Sequence, residues 1–295
     1  MTTTPVQPGP PEPLPPLPSP RPPGWSPKAV ARVSLIALSA LPALPVQMLI
    51  VRFAPSRSQV IPQWFHRLVC RVLAVRTTVE GTPPDGSRQT LIVANHISWL
   101  DIPVIGATRP VSFIAKSEIA GWPGIGLLAR LQRTIFIDRS RRTATAATTS
   151  QMGERLLKGD SVVLFAEGTT GDGSRILPFR SSLLGAVKEA LGPDGEGEIM
   201  VQPLAVLYTG RHGLPGGRAE RARLAWYGDT ELSPHLLDIL KGGPIDVRLV
   251  WGEPIRMGRE HSRKEATRLA EAEVRHAVAV HVSGRSRTRP GSTPA

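Results

Sequence analysis

The sequence predicts an α/β domain, a largely buried sheet flanked by helices, carried on an N-terminal membrane-embedded helical segment. Three observations predict it. From about residue 72 onward, short β-branched or apolar runs alternate with helical stretches, the order that builds a sheet with helices packed on it. Ahead of them lies an uncharged run of nineteen residues, 33–51, between basic flanks. The composition, 41% hydrophobic and 20% charged, supplies a real core, which excludes disorder throughout and a collagen-like repeat.

Taken in order, residues 1–27 hold twelve prolines. Proline fixes φ and lacks an N–H, so this stretch reads as an extended, disordered tail. It has no charged start followed by an apolar run, and so is no signal peptide. Residues 28–60 read as the membrane anchor. The run VSLIALSALPALPVQMLIV is long enough to span a bilayer, with Lys28 and Arg32 before it and Arg52 and Arg57 after. Pro42 and Pro45 break hydrogen bonds in its middle, which leaves a kinked span and a helix pair dipping into one leaflet both open. An apolar core helix is the soluble alternative. Trp64, Arg67 and Arg71 continue as an amphipathic stretch suited to the interface.

The main domain takes in 61–283. Strands are predicted at 72–81, 89–95, 111–116, 134–138, 161–167, 199–208, 222–228 and 246–252 from their β-branched or apolar runs. Helices fall near 101–107, 117–131, 141–158, 181–191, 233–241 and 261–282. Residues 284–295 close the chain as a basic disordered tail with Arg285, Arg287 and Arg289.

The net charge is +12. Glu12 and Arg21 cancel in the N-terminal tail, so residues 28–283 keep about +9 and the body itself is basic. Such a body suits nucleic acid, an anionic membrane or an acidic carrier. No nucleic-acid motif is visible, and the apolar run 33–51 has no purpose in a nucleic-acid binder. The lone Cys70 excludes an intrachain disulfide or a thiolate zinc site. His66, His212, His235, His261, His276 and His281 show no metal-ligand spacing, so no metal is expected.

The segment LIVANHISWLD carries the chemistry. On one continuous helix, five residues would turn His96 and Asp101 apart. They meet only if His96 sits on the loop after a strand and Asp101 in the first helical turn, with Ser98 as N-cap. The carboxylate then holds one ring nitrogen and leaves the other basic, a His/Asp general-base dyad. The residues also permit a capping box of Ser98 and Asp101 beside an ordinary strand-end histidine. No G-x-S-x-G elbow is present and Cys70 lies elsewhere, so a working dyad activates a hydroxyl of the substrate.

NHISWLD resembles the NHxSxxD block of the glycerolipid acyltransferases, whose best-known members acylate 1-acylglycerol-3-phosphate. TIFIDR (134–139), FAEGTT (165–170) and VQPLAV (201–206) follow in family order, and Lys116 in FIAKSE also matches. The resemblance covers roughly 60–260. It implies a glycerolipid-acyltransferase-like sheet, with His96 as base on the acceptor hydroxyl, Asp101 as its orienting partner, and Asn95 and Ser98 in support. Arg139, Glu167, Gly168 and Thr169 match acceptor-binding positions. By themselves, Arg139 reads as one member of a solvated basic run and EGTTGDG as a Gly-rich turn.

Two positions depart from the family form F-P-E-G-T-R: Ala166 replaces the proline and Thr170 the basic residue. A missing cation weakens a phosphate site, and Arg175 or Arg180 are the candidates to replace it. EGTTGDGSRILPFRSSLL followed by AWYGDTELSPHLLDIL is similar to the bacterial subgroup that includes lyso-ornithine lipid acyltransferases. The resemblance thus implies a membrane-bound O-acyltransferase of the bacterial inner membrane, its site facing the cytoplasm. Family frequency places 1-acylglycerol-3-phosphate first as acceptor, with lyso-ornithine lipid as the alternative. A catalytically silent lipid-binding protein is the reading from another class. The donor is a thioester of acyl carrier protein or coenzyme A, a co-substrate; no cofactor, metal or nucleic acid is implied. Basic residues would serve membrane lipids and the acidic donor.

Overall fold

The computed structural model describes residues 24–84, 89–137, 142–185, 199–258 and 261–283. The two expected tails, apart from the end of the first at 24–27, and Arg139 lie outside these described residues. The apolar run falls within one helix, α1 (Pro27–Phe53), which holds both Pro42 and Pro45. Ser26 caps it, accepting from Ala29 N at 3.2 Å, and Pro27 starts it where no N–H is needed. Only 6% of its apolar window is buried, so it is no core helix, and it is long and apolar enough to cross a membrane.

Polar side chains fasten α1 to the body. Lys28 Nζ donates to Gly242 O at 2.9 Å, and Arg32 donates to Leu240 O at 2.8 Å and Gly242 O at 3.0 Å. These carbonyls end α7 (Leu232–Lys241), where the helix dipole favours cations. Farther along, the buried Gln47 donates to Ser58 O and Leu131 O, at 2.7 and 2.8 Å. After a short turn, α2 (Val60–Val72) packs against α3 (Asp101–Thr108). A Cβ on Gly106 would lie 2.4 Å from His66 Cδ2, so the α2–α3 contact is built around a missing side chain. Burial lowers the His66 imidazole to about 4, while Gln132 hydrogen-bonds its Nε2 at 2.8 Å. Cys70 is buried on the same helix, its thiol pushed up to about 12 by desolvation.

Among the described residues, one sheet runs in the order β1 (Val75–Glu80), β8 (Ile245–Trp251), β6 (Ile199–Arg211), β2 (Thr90–Ala94), β5 (Val162–Phe165), β3 (Ser112–Lys116), β4 (Ile135–Ile137). The segment from β6 to β4 is parallel, whereas β8 runs antiparallel to β6 and β1 parallel to β8. Two short strands, β7 (Leu214–Pro215) and β9 (Ile255–Met257), also pair with β6. Pro203 is tolerated in this central strand because it falls between the registers of β8 and β9, where the antiparallel ladder is already interrupted.

Both sheet faces are covered, and alternation along each strand sorts the side chains. Ile92, Ala94, Val163 and Leu204 join the core under α2, α3 and α7. Leu91, Val93, Val162 and Val201 join a second core with Met152 and Leu156 of α5 (Arg142–Leu157) and Ala266, Ala270 and Val274 of α8 (Arg263–Ser283).

Two expectations change, and of the predicted helix 181–191 only Ser181–Gly185, a 3-10 turn, lies within the described residues. The predicted strand 222–228 is instead the end of α6 (Arg218–Leu224) followed by irregular chain. Ala, Arg, Glu and Leu are strong helix formers, and the aromatic pair Trp226 and Tyr227 that suggested a strand lies just beyond them. The predicted helix 117–131 is split into a 3-10 turn, Ser117–Gly121, and α4 (Ile125–Leu131). Pro123 between them has no N–H to continue the first.

Candidate active site

The parallel strands place their C-terminal ends on one edge, and the motif residues gather there. Asn95 follows β2 and is fully buried; its Nδ2 donates to Val206 O at 3.0 Å and its Oδ1 accepts from Val206 N at 2.8 Å. The side chain thus continues the β2–β6 ladder after the backbone of β2 has turned away. That turn frees His96 to leave the sheet.

Asp101 begins α3 with no solvent exposure. Its Oδ2 accepts from His96 Nδ1 at 2.8 Å, from Ile97 N at 2.7 Å and from Ser98 N at 3.0 Å. Its Oδ1 accepts from the Tyr208 hydroxyl at 2.7 Å. The helix therefore starts differently from expectation. Leu100 occupies the N-cap, no side chain caps it, and Ser98 contributes its backbone N–H to Asp101. Asp101 shapes its own loop, since a carboxylate is the better acceptor for two adjacent N–H groups.

The His96 ring stacks on Phe165, centroids 3.8 Å apart and planes 10° from parallel. With Nδ1 held by Asp101, Nε2 is the nitrogen left for a substrate proton. His96 is 17% exposed and lines a cavity of about 160 Å³. Glu167, after β5, lines the same cavity at 3% exposure. Its Oε1 accepts from His96 N at 3.3 Å, whereas Oε2 is buried without a hydrogen-bond partner. Burial pushes the Glu167 carboxyl up to about 8, against the opposing pull of backbone N–H groups of His96 and Leu177. Gly168 is buried, and Thr169 is exposed beyond it. The loop then folds back, with Gly171 N donating to His96 O at 2.8 Å.

Arg175 reaches the cavity, as the charge replacement for Thr170 requires; Arg180 does not line it. Lys116 ends β3, two strands from β2, is exposed and lines no part of the cavity. Arg139 lies outside the described residues. Tyr208, Phe165 and Arg221 belong to the site and escaped the sequence. Tyr208 left one trace, a phenol at the end of a mostly apolar strand run, and buried phenols seek a partner. Among the described residues no group of three or more His, Cys, Asp or Glu side chains is placed to hold a metal ion.

A buried carboxylate orienting a histidine beside a cavity, at the carboxyl edge of a parallel sheet, defines a class of enzyme that activates a hydroxyl for group transfer. The family model described as Acyltransferase matches residues 75–207, which take in His96, Asp101 and Glu167. The chain belongs to this acyltransferase family. A lyso-ornithine lipid O-acyltransferase of Brucella abortus is 44% identical over 85% of this chain and 94% of its own length. One of Rhizobium meliloti is 40% identical over 88% and 89%. A 1-acyl-sn-glycerol-3-phosphate acyltransferase of Neisseria meningitidis is 36% identical over 42% of this chain and 49% of its own. Among solved structures, a 1-acyl-sn-glycerophosphate acyltransferase of Thermotoga maritima superposes with a TM-score of 0.52. It covers 88% of this chain and 100% of its own at 24% identity, which establishes a shared fold.

Proposed function

We propose that this acyltransferase esterifies the free hydroxyl of a lysolipid, and that the lysolipid is a lyso-ornithine lipid. The His96–Asp101 pair carries the reaction. His96 Nε2 takes the proton of the acceptor hydroxyl as its oxygen attacks the thioester carbonyl carbon. The tetrahedral adduct collapses, the C–S bond breaks, and the imidazolium returns the proton to the leaving thiolate. An ester and a free thiol result. Asp101 holds the ring in one tautomer and faces the charge that forms on it.

For the acceptor, the length of the sequence likeness supports this choice. In sequence, relatives named for lyso-ornithine lipid align with most of this chain, and the 1-acyl-sn-glycerol-3-phosphate acyltransferases of Neisseria meningitidis and Haemophilus influenzae with less than half of it. Thr170 in place of a cation supports the same choice. The second reading is 1-acylglycerol-3-phosphate, favoured by two guanidinium groups at the cavity, Arg175 and Arg221, which suit phosphate as well as carboxylate.

The donor is a thioester of acyl carrier protein or coenzyme A, used as a co-substrate with no bound cofactor. The basic body favours either of these acidic donors. Residues 28–60 hold the enzyme to the bacterial inner membrane, with 61–283 as the catalytic domain on the cytoplasmic side, where such thioesters are made. A transfer assay on membranes carrying the full chain, with each donor and both lysolipids, tests this. Preferred acylation of lyso-ornithine lipid supports the reading, and transfer to the phosphate lipid alone replaces it with the second.

A further inference from the structure

The cavity beside His96 is walled in part by α6, which lies outside every matched motif. Arg221 on this helix lines the cavity together with Arg175. Two contacts set α6 against the catalytic loop. Trp226, just past the helix, donates its backbone N–H to Ile97 O at 2.8 Å, one residue from His96. Gly173 has φ 71°, and a Cβ there would meet Ile97 Cγ2 at 3.3 Å and Arg221 Cβ at 3.7 Å. The loop from Glu167 therefore passes between Ile97 and Arg221 in a conformation and at a spacing that favour glycine. Arg221 Nη1 donates to Gly216 O at 2.9 Å, which steadies the guanidinium.

Neighbouring arginines are neutralised. Arg211 pairs with Glu220 at 2.9 Å and Arg223 with Asp238 at 3.3 Å. Among the described residues neither Arg221 nor Arg175 pairs with a carboxylate, and Arg221 Nε is buried without a hydrogen-bond partner. A guanidinium N–H left unmatched inside a protein is costly, and an oxyanion entering the cavity removes that cost.

We propose that Arg221, with Arg175 as a second donor, binds the anionic part of the acceptor head group and sets acceptor specificity. This rests on the lysolipid reading above. The ligand chemistry is an oxyanion: the carboxylate of an ornithine head group or the phosphate of a lysophosphatidate. A planar guanidinium meets either with two parallel N–H groups. With the head group fixed on α6, the hydroxyl of the same lipid is held for His96.

The test measures kcat and KM of the membrane-held full chain, as wild type, Arg221→Ala, Arg221→Lys and Arg223→Ala. The acceptors are lyso-ornithine lipid, its carboxylate methyl ester and 1-acylglycerol-3-phosphate. Arg221→Ala raises KM for the preferred lipid about ten- to a hundredfold, the range of one lost charge-assisted contact, with kcat little changed. Arg221→Lys falls between, because lysine keeps the charge without the fork. Arg223→Ala, whose guanidinium faces Asp238, leaves KM as it was. For a carboxylate ligand, the methyl ester is as poor for wild type as the free acid is for Arg221→Ala, and the variant loses nothing further with the ester. Loss confined to the phosphate lipid identifies phosphate as the ligand. An unchanged KM in Arg221→Ala for the lipid that wild type acylates overturns the proposal; should that variant not fold, an unchanged KM in Arg221→Lys does so. If wild type acylates only the phosphate lipid, the ornithine assignment fails and Arg221 is judged on that lipid's KM.

Discussion

Asp101 is fully buried and accepts four hydrogen bonds, and its two side-chain donors have different consequences when removed. His96→Ala deletes the proposed base and lowers turnover at least ~10²-fold with the fold intact. Near-normal transfer by the folded variant would dismiss this role. Tyr208→Phe leaves Asp101 Oδ1 without its donor in the interior, at a cost of about 1–3 kcal/mol in unfolding free energy, read by denaturant titration. Glu167 yields a pH dependence. An exposed glutamate loses its proton near 4.5, whereas the folded chain holds it to about 8. Between those values the native state binds more protons than the unfolded one, so this group's contribution is fully present below pH 4.5 and is lost as pH rises through 8. Glu167→Gln, neutral throughout, should gain stability relative to wild type from pH 5 to 8, by up to a few kcal/mol. Parallel stability–pH curves for the two proteins would show that Glu167 is already ionised in the fold. His96, Asp101 and Glu167 were legible in the sequence because each stands in a short motif. Tyr208 and Arg221 were not, because over a hundred residues separate them from His96 and only the sheet order brings them back.

The elements show where local signals suffice and where packing decides. The core strands β2, β5 and β6 lie where their apolar runs predict, since a strand buried on both faces must be largely apolar along its length. The run 222–228 carried the same composition but no partner strand, and became the end of α6 and the chain that pins the catalytic loop. No one-dimensional pattern reveals whether a strand finds a neighbour. Between α2 and α3 the contact rests on Gly106. Gly106→Ala pushes a methyl into the buried His66 ring, which Gln132 holds from the other side. The expected loss is about 1–3 kcal/mol despite alanine's better helix propensity, and a melting temperature at or above wild type would show that the two helices can separate freely.

At the scale of the molecule, apolar surface is unevenly distributed. Leu38, Leu41, Leu49 and Phe53 of α1 are mostly exposed, and Trp64 of α2 and Leu127 of α4 are nearly half exposed. Contiguous apolar surface on this scale marks an interface with lipid or protein. The full chain should stay with membranes through a high-salt wash, since apolar burial is not screened by ions, and recovery in the wash supernatant would refute lipid burial. Composition and the uncharged run pointed to a long apolar segment, which the structure forms as α1. They left open whether two prolines divide it, because proline disrupts a helix only where neighbouring groups fail to re-satisfy the freed carbonyls.

The burial of Cys70 has a practical consequence for studying the enzyme. It is the chain's single sulfhydryl, packed in the interior of α2 and held as the unreactive thiol. Alkylating reagents should leave activity untouched. With a coenzyme A donor, each turnover releases one thiol into solution, and a chromogenic disulfide will count those thiols as they appear with no background from the folded protein.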